Sequence, residues 1–388
     1  MRIEKDALGE MPLPDGAYYG IQAFRSLSNF DVTDKTFNDY PAVVRALAEI
    51  KKACALANRD IGALGADKAG AIARACDDIL EGRMEGQFPV NIWRGGGTSI
   101  NMNLNEVIAN RANELLTGHK GYEQVHPNTH VNMCQSSNDV YPTAENIVLY
   151  RETGRALEGV AALENSFARK SKEFGGVVRL GRTCLQDGVP MTLGQVFAGF
   201  HGVIRRSRER LEALREGFRV GVLGGTVIGT GLGVLPGYVE AVYPHLSAIV
   251  GFEMRLPDTP EGSPVSDAGL FDAMQNADGL LTLSGALKVL ACSAGKIAND
   301  FRMLSSGPRS GFGEIRLPAV APGSSIMPGK INPFMCDLVV QIMHQVAAND
   351  WAITMNASAS DLDLASNATV SFFALLQSLE MIGNGFAL

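Results

Sequence analysis

Long apolar runs are missing from this sequence of 388 residues. No window holds the roughly 18 unbroken apolar residues that a membrane-spanning helix needs. The first six residues, MRIEKD, are charged where a secretion signal would be apolar. The six cysteines are scattered, with no CxxC pair, which is typical of reduced thiols rather than of a disulfide framework. We therefore predict a cytoplasmic protein with no membrane partner, and we assign no metal site.

Charged residues are also scarce, and acidic residues outnumber basic ones. Charged residues make up 19% of the chain and the net charge is −7, so the positive surface that nucleic-acid binding requires is lacking. Hydrophobic residues reach 46%, enough for a large core. Low charge in so long a chain indicates that much surface is buried against other subunits. We predict an oligomer with no nucleic-acid partner.

Apolar residues recur at spacings of three and four along several stretches, the pattern of helices that bury one face. The pattern predicts helices over residues 44–57, 147–167 and 280–301. Thr192 and Gln195 form a capping box that predicts the start of another helix. Residues 1–38 lack a helical period and are predicted to be extended or irregular. Because no strand alternation separates the helices, we predict an all-α bundle with two or three domains.

Glycine, proline and serine are concentrated in residues 323–333, GSSIMPGKINP. This stretch must form a loop, because glycine and proline disfavour helix and sheet. Ser324, Ser325, Lys330 and Asn332 offer a small anion two hydroxyls, a positive charge and an amide. A surface connector is the alternative, since most such clusters are connectors. A phosphate-binding P-loop is a poor match, because the glycine spacing is wrong and no Ser or Thr follows the lysine.

A second glycine-rich stretch, residues 224–233, raises the alternative of a dinucleotide-binding fold. No βαβ pattern surrounds it, and no acidic residue follows at the spacing that a ribose contact needs. We therefore predict no cofactor.

The loop at residues 323–333 resembles the signature of the aspartase/fumarase superfamily over its whole length. Four other segments resemble family blocks in the same order: residues 98–107 (TSINMNLNEV), 126–139 (HPNTHVNMCQSSND), 181–187 (GRTCLQD) and 225–232 (GTVIGTGL). The resemblance runs from about Tyr18 to the C-terminus. Members of this superfamily add or remove an amine or water across the double bond of fumarate.

The resemblance implies an architecture of three helical domains. Residues 1–135 match the small N-terminal domain, residues 136–370 the central long-helix bundle, and residues 371–388 a remnant of the C-terminal region. The usual C-terminal domain is therefore expected to be missing. The family forms homotetramers through the central helices, and each active site draws on three subunits.

The resemblance also implies a role for individual residues. Ser324 matches the general base, which must be activated by backbone amides and nearby positive charge because serine is a weak base. The residues that match the holders of one substrate carboxylate are Thr98, Ser136, Ser137 and Ser325. Those that match the holders of the other carboxylate are Thr183, Lys330 and Asn332. Asn138 matches the binder of the amino group.

Four departures from the family pattern bear on the reaction. The glycine run before Thr98 is one residue short, Thr129 replaces an aspartate, and residues 361–365 lack a final asparagine. Cys184, counted among the substrate-binding residues, stands where fumarases have the histidine that activates water, and Asp337 replaces its glutamate partner. A thiol carries protons poorly near pH 7 and aspartate reaches less far, so hydration is disfavoured.

Taken together, these matches are closest to the aspartase branch of the superfamily. They imply a carbon–nitrogen lyase that converts L-aspartate reversibly to fumarate and ammonia. Three alternatives remain open: a fumarate hydratase, a lyase for another N-substituted aspartate, and a degenerate homologue that only assembles with other subunits.

Overall fold

The computed structural model describes residues 1–93, 97–259, 261–365 and 368–388. Helices dominate these residues. They are α1 (Ile21–Asn29), α2 (Pro41–Asp60), α3 (Ala66–Leu80), α4 (Thr98–Thr117), α5 (Ser137–Glu173), α6 (Leu193–Arg215), α7 (Tyr238–Val250), α8 (Ala268–Gln275), α9 (Asp278–Leu304), α10 (Phe334–Ala357) and α11 (Ala368–Ala387). A π-helical turn spans Pro127–Val131, and short 3-10 turns span Phe37–Asp39 and Glu216–Phe218.

The helix starts follow local sequence signals. Pro41 opens α2, where its missing N–H costs nothing because the first N–H groups of a helix have no partner within it. Thr192 opens α6 with the predicted capping box. Its Oγ1 accepts from the N–H of Gln195 at 3.1 Å, and its own N–H donates to Gln195 Oε1 at 2.9 Å. The predicted helices are confirmed at these positions.

Two short hairpins, which the predicted all-α bundle did not include, accompany the helices. Strands β1 (Arg2–Asp6) and β2 (Gly9–Leu13) form one antiparallel hairpin, and β3 (Val178–Thr183) and β4 (Gln186–Thr192) form another. In β1 the burial of side chains alternates residue by residue, the two-residue period of a strand with one covered face. The segment is too short for that alternation to stand out from irregular structure in the sequence alone.

The chain divides into two compact units. Unit 1 comprises Met1–Tyr150, Gly217–Ala277 and Asn356–Val370, and unit 2 comprises Arg151–Glu216, Asp278–Met355 and Ser371–Leu388. This division by contacts differs from the predicted domains 1–135, 136–370 and 371–388, which stay a prediction about the family architecture. Residues 371–387 belong to α11, and this part of the helix lies in unit 2.

Each unit has its own apolar core. In unit 1, α2 packs against α3 and α7. In unit 2, four phenylalanines from α5, α6 and α9 form a cluster with ring centroids 5.5 to 6.3 Å apart: Phe167, Phe197, Phe200 and Phe301. Helices α5 and α11 approach closely, since a Cβ added at Gly159 would collide with the carbonyl of Gly383.

Helix α9 is long and apolar enough to cross a membrane by length and composition alone. An 18-residue window within it has a mean hydropathy of 1.4, and 56% of that window is buried in the described structure. A core helix meets the same criterion. The finding for α9 therefore does not decide the question, and the absence of a membrane partner stays a prediction.

Candidate active site

Two helix starts in unit 1 carry predicted carboxylate-holding residues. Thr98 is the first residue of α4 and Ser137 the first of α5, and their hydroxyl oxygens lie 3.3 Å apart. Just before α5, the Oγ of Ser136 accepts from the backbone N–H of Asn138 at 3.2 Å. Thr98 is exposed and the other three residues are half-buried. The structure thus brings these four predicted residues together at an accessible surface of unit 1.

Asn138, the predicted binder of the amino group, is held by the second glycine-rich stretch. Its Nδ2 donates to the carbonyl of Val227 at 2.9 Å. One amide hydrogen is therefore used within unit 1, which fixes the orientation of the side chain. An amide oriented in this way presents its remaining groups in a defined direction.

Lys51, which the sequence analysis did not single out, holds the segment that precedes Ser136. It lies on α2, fully buried, and its Nζ donates to Asn132 Oδ1 at 3.0 Å and to Gln135 Oε1 at 2.8 Å. Burial lowers the pKa of Lys51 to about 8. The sequence does carry a signal, because Lys51 falls on the apolar stripe of α2, four residues after Leu47. A lysine on such a stripe needs buried partners, and here they fix the segment leading to Ser136.

The loop that contains Ser324 lies in unit 2 and has a defined internal structure. The Oγ of Ser324 accepts from the backbone N–H of Met327 at 3.0 Å and from that of Ile326 at 3.2 Å. The N–H of Gly323 donates to the carbonyl of Lys330 at 2.8 Å, which closes the base of the loop. A Cβ at Gly323 would lie 2.7 Å from that carbonyl oxygen, so only glycine fits there.

Lys330 and Asn332 differ in how the loop uses them. The side chain of Lys330 is exposed, and among the described residues no hydrogen bond or ion pair of its ammonium group is found. Asn332 donates from Nδ2 to the carbonyl of Gly323 at 2.8 Å. Lys330 can therefore receive an anion, whereas Asn332 has at least one structural role. The exposed Ser325 and Ile326 beside them leave this surface open.

Thr183 and Cys184 occupy the turn of the β3–β4 hairpin in unit 2. Thr183 pairs with Gln186, and the two residues between them, Cys184 and Leu185, have φ of +52° and +63°. Two-residue hairpin turns require such angles, which asparagine and glycine adopt more easily. The thiol of Cys184 is exposed.

An acidic residue ties this hairpin to the segment that precedes the serine loop. Glu314 pairs with Arg182 at 2.5 Å and with Arg179 at 3.0 Å. The hydrogen bond from Arg182 and the charge of Arg179 hold the pKa of Glu314 below its ordinary value. Arg182 also lies over the ring of Phe312, 4.8 Å from its centroid. Unit 2 thereby fixes the position of the hairpin.

Asp337 is engaged by an arginine. Its Oδ1 lies 2.9 Å from the Nε of Arg302 on α9. This ion pair holds one oxygen of the Asp337 carboxylate against the guanidinium of Arg302. The weakness of Cys184 and Asp337 as a water-activating pair stays a prediction.

The predicted site residues thus fall into two groups. Thr98, Ser136, Ser137 and Asn138 lie in unit 1, whereas Thr183, Cys184, Ser324, Ser325, Lys330 and Asn332 lie in unit 2. Within unit 2, a cavity of about 740 Å³ is lined by the hairpin, α6 and α9, and it includes none of these residues. Their roles in substrate binding and catalysis stay predictions.

Comparison with known proteins identifies the family. The sequence model described as lyase matches residues 9–348. The chain belongs to the aspartase/fumarase family of lyases. It is 43% identical to an aspartate ammonia-lyase of a Bacillus species, over 100% of this chain and 80% of that protein. It is 41% identical to a class II fumarate hydratase of Neisseria meningitidis, over 99% of this chain and 81% of that protein.

Solved structures agree with this membership. The fumarate lyase:delta crystallin of Brucella melitensis, in a crystal structure bound to cobalt, is 44% identical with a TM-score of 0.93, over 99% of this chain and 82% of that one. A recombinant class II fumarase from Schistosoma mansoni is 35% identical with a TM-score of 0.92, over 100% and 82%. The predicted family and its mainly helical fold are confirmed. The predicted lack of a C-terminal domain is not supported, because the matches run over 99 to 100% of this chain.

Proposed function

We propose that this member of the lyase family is an aspartate ammonia-lyase, which converts L-aspartate reversibly to fumarate and ammonia. The observation that carries the proposal is the geometry of Ser324. Its Oγ already accepts two backbone N–H groups of its own loop, which is the environment that stabilises a negatively charged oxygen. The exposed ammonium of Lys330 on the same loop supplies positive charge.

The chemical steps follow from that geometry. The Ser324 oxygen takes a proton from the carbon next to one carboxylate, and the electron pair of the broken C–H bond moves into that carboxylate to give an enediolate. Hydroxyls of Thr98, Ser136 and Ser137 donate to the enediolate oxygens, whose charge they stabilise most in the transition state. The electron pair then returns to form the carbon–carbon double bond as the C–N bond of the protonated amine breaks and ammonia leaves. Ser324 then gives its proton to solvent.

The choice of ammonia over water rests on Cys184 and Asp337. Water must lose a proton as it attacks fumarate, so hydration needs a base at this position. Ammonia attacks through its own lone pair and needs none. The exposed thiol of Cys184 and the arginine-paired carboxylate of Asp337 favour the reaction with ammonia.

The same proposal extends to assembly and location. The resemblance to the family supports a homotetramer whose active sites combine residues from several chains. Low overall charge and exposed apolar side chains such as Trp351, which is 67% exposed, fit burial between subunits. The cytoplasm is the location we propose, since the scattered cysteines are typical of reduced thiols.

Fumarate hydratase is the second candidate, because class II fumarate hydratases are 41% identical to this chain. Incubating the purified protein with fumarate and ammonium, and identifying products by NMR, separates the two. Aspartate is the expected product. Malate as the main product would support the hydratase, and no product would support a degenerate homologue. Formation of an N-substituted aspartate from fumarate and a substituted amine, supplied in place of ammonium, would support a lyase for N-substituted aspartate.

Two variants sharpen this test. Cys184→Ser is expected to keep at least about a tenth of the deamination rate, because the thiol is not needed as a base. Cys184→His combined with Asp337→Glu is expected to introduce measurable hydration of fumarate. Loss of deamination in Cys184→Ser, with the protein folded, would contradict the assignment of roles at this position.

A further inference from the structure

Asp139 is fully buried at the start of α5, and the proposed mechanism does not use it. Its Oδ1 accepts from the backbone N–H of Ser136 at 2.9 Å. Ser136 in turn accepts from the N–H of Asn138. Together these bonds form a variant of the capping box. The carboxylate of Asp139 accepts from the backbone N–H of Ser136, three residues earlier, and the hydroxyl of Ser136 accepts from a backbone N–H within the same turn. Asp139 thus closes the turn that presents Ser136, Ser137 and Asn138.

The second oxygen of the same carboxylate holds another segment. Oδ2 accepts from the backbone N–H of Thr226 at 3.0 Å and from that of Gly224 at 3.3 Å. Thr226 has a φ of +54°, a conformation that a β-branched residue adopts only when its surroundings impose it. The next residue, Val227, provides the carbonyl that receives the amide of Asn138. The two segments are therefore connected twice, once through Asp139 and once through Asn138.

The electrostatic setting matches this bridging role. A fully buried carboxylate is costly unless hydrogen bonds and opposite charge compensate it. Burial raises the pKa of Asp139 to about 7, against the opposing effects of its N–H donors and of the charge of Lys51. A residue that only caps a solvent-exposed helix start does not need three backbone N–H donors and a nearby buried lysine. The arrangement is built to keep one carboxylate between two loops.

We propose that Asp139 is a positioning residue, whose carboxylate locks the turn at residues 136–138 to the loop at residues 224–227 and so holds the substrate-binding side chains in place. This inference rests on the proposed function for its catalytic consequence. Its structural part, the locking of two segments by one carboxylate, stands apart from the reaction.

Thr143 offers a matched control. It lies one turn further along α5 and is equally buried. Its Oγ1 accepts from the N–H of Val222 at 3.0 Å and donates to the carbonyl of Asp139 at 2.7 Å. Thr143 therefore tethers the same helix to the same stretch of chain, but it contacts none of the predicted substrate-binding residues. Thr143→Val removes that tether with little change of shape.

The experiment compares Asp139→Asn with Thr143→Val. Asparagine places an NH2 donor against N–H donors, so either the turn or the loop loses its acceptor. We expect the KM for aspartate in Asp139→Asn to rise at least about tenfold, with a smaller fall in kcat, because the affected residues bind carboxylate while Ser324 is untouched. Thr143→Val should stay within about threefold of the wild type in both constants. Equal KM values for the two variants would overturn the proposal.

Amide hydrogen exchange of the wild-type protein provides a second measurement that needs neither a variant nor activity. If one carboxylate locks both segments, the amides of Ser136, Gly224 and Thr226 should open together and show protection within about threefold of one another. Addition of succinate, an unreactive dicarboxylate, should slow all three. Protection of Ser136 that differs more than about tenfold from that of Gly224 and Thr226 would overturn the proposal. A wild-type protein that fails to deaminate aspartate would refute the proposed function, while the exchange data would still decide the role of Asp139.

Discussion

Replacing Ser324 with alanine removes the oxygen on which the proposed chemistry depends. In the structure this oxygen receives two backbone N–H groups at 3.0 and 3.2 Å. A hydrogen bond to a charged group contributes about 1.5–3 kcal/mol. Two such bonds would stabilise the alkoxide by about 3–6 kcal/mol.

The expected loss of activity follows from the role of Ser324 as the general base. General-base catalysis contributes about 10²- to 10⁴-fold to a rate, so Ser324→Ala should lose at least about 100-fold in kcat for aspartate deamination. The folded state should suffer little, because the loop is largely exposed and a neutral hydrogen bond is worth only about 0.5–1.5 kcal/mol. The oligomer should therefore remain intact.

The assay follows fumarate absorbance with purified protein, and size-exclusion chromatography checks the oligomer. Ser306→Ala is the matched control, since the Oγ of Ser306 likewise accepts a backbone N–H, from Phe312 at 3.0 Å, in the same unit. The control should keep nearly full activity. If Ser324→Ala retained more than a few per cent of the wild-type rate, Ser324 could not be the base.

Three further predictions concern binding, assembly and stability. Lys330→Met should raise the KM for aspartate about tenfold or more, because a charge-assisted contact contributes about 1.5–3 kcal/mol; an unchanged KM would mean that the lysine faces solvent in the complex. Inactive Ser137→Ala and Ser324→Ala proteins, mixed and allowed to exchange subunits, should regain partial activity if sites are shared between chains; no recovery despite proven exchange would indicate sites within one chain. Because the pKa of Glu314 lies below its ordinary value of 4.5, its ion pairs stabilise the protein above that pH and are lost as the pH falls through the folded-state pKa. The midpoint of denaturation of Glu314→Gln should therefore be lower than that of the wild type at pH 7, and the two midpoints should approach each other in acid.

Helix positions were predictable because their signals are local. Pro41 and the Thr192–Gln195 capping box mark helix starts regardless of the rest of the chain. The β3–β4 hairpin was not predictable, because its turn consists of Cys184 and Leu185 at positive φ rather than of asparagine and glycine. Its conformation is imposed by tertiary contacts such as those of Arg182 with Glu314.

The sequence names candidate site residues, whose roles stay predictions, but it does not give their geometry. The motif around Ser324 reveals the hydroxyl, whereas only the structure shows two backbone N–H groups directed at it. Lys51 and Asp139 were missed as contributors because their partners lie far away in sequence: Asp139 bonds to Thr226, 87 residues away. A charged residue on an apolar stripe, or an acidic residue three positions after a serine at a helix start, is the signal that could have indicated them.

The central claim is that this lyase removes ammonia from aspartate rather than water from malate. The most direct test is the initial rate of fumarate formation, followed by absorbance, with L-aspartate and with L-malate as separate substrates of the wild-type protein. The account predicts rapid formation of fumarate from aspartate and very slow formation from malate. Faster formation from malate than from aspartate would contradict it and would assign the protein to the fumarate hydratases.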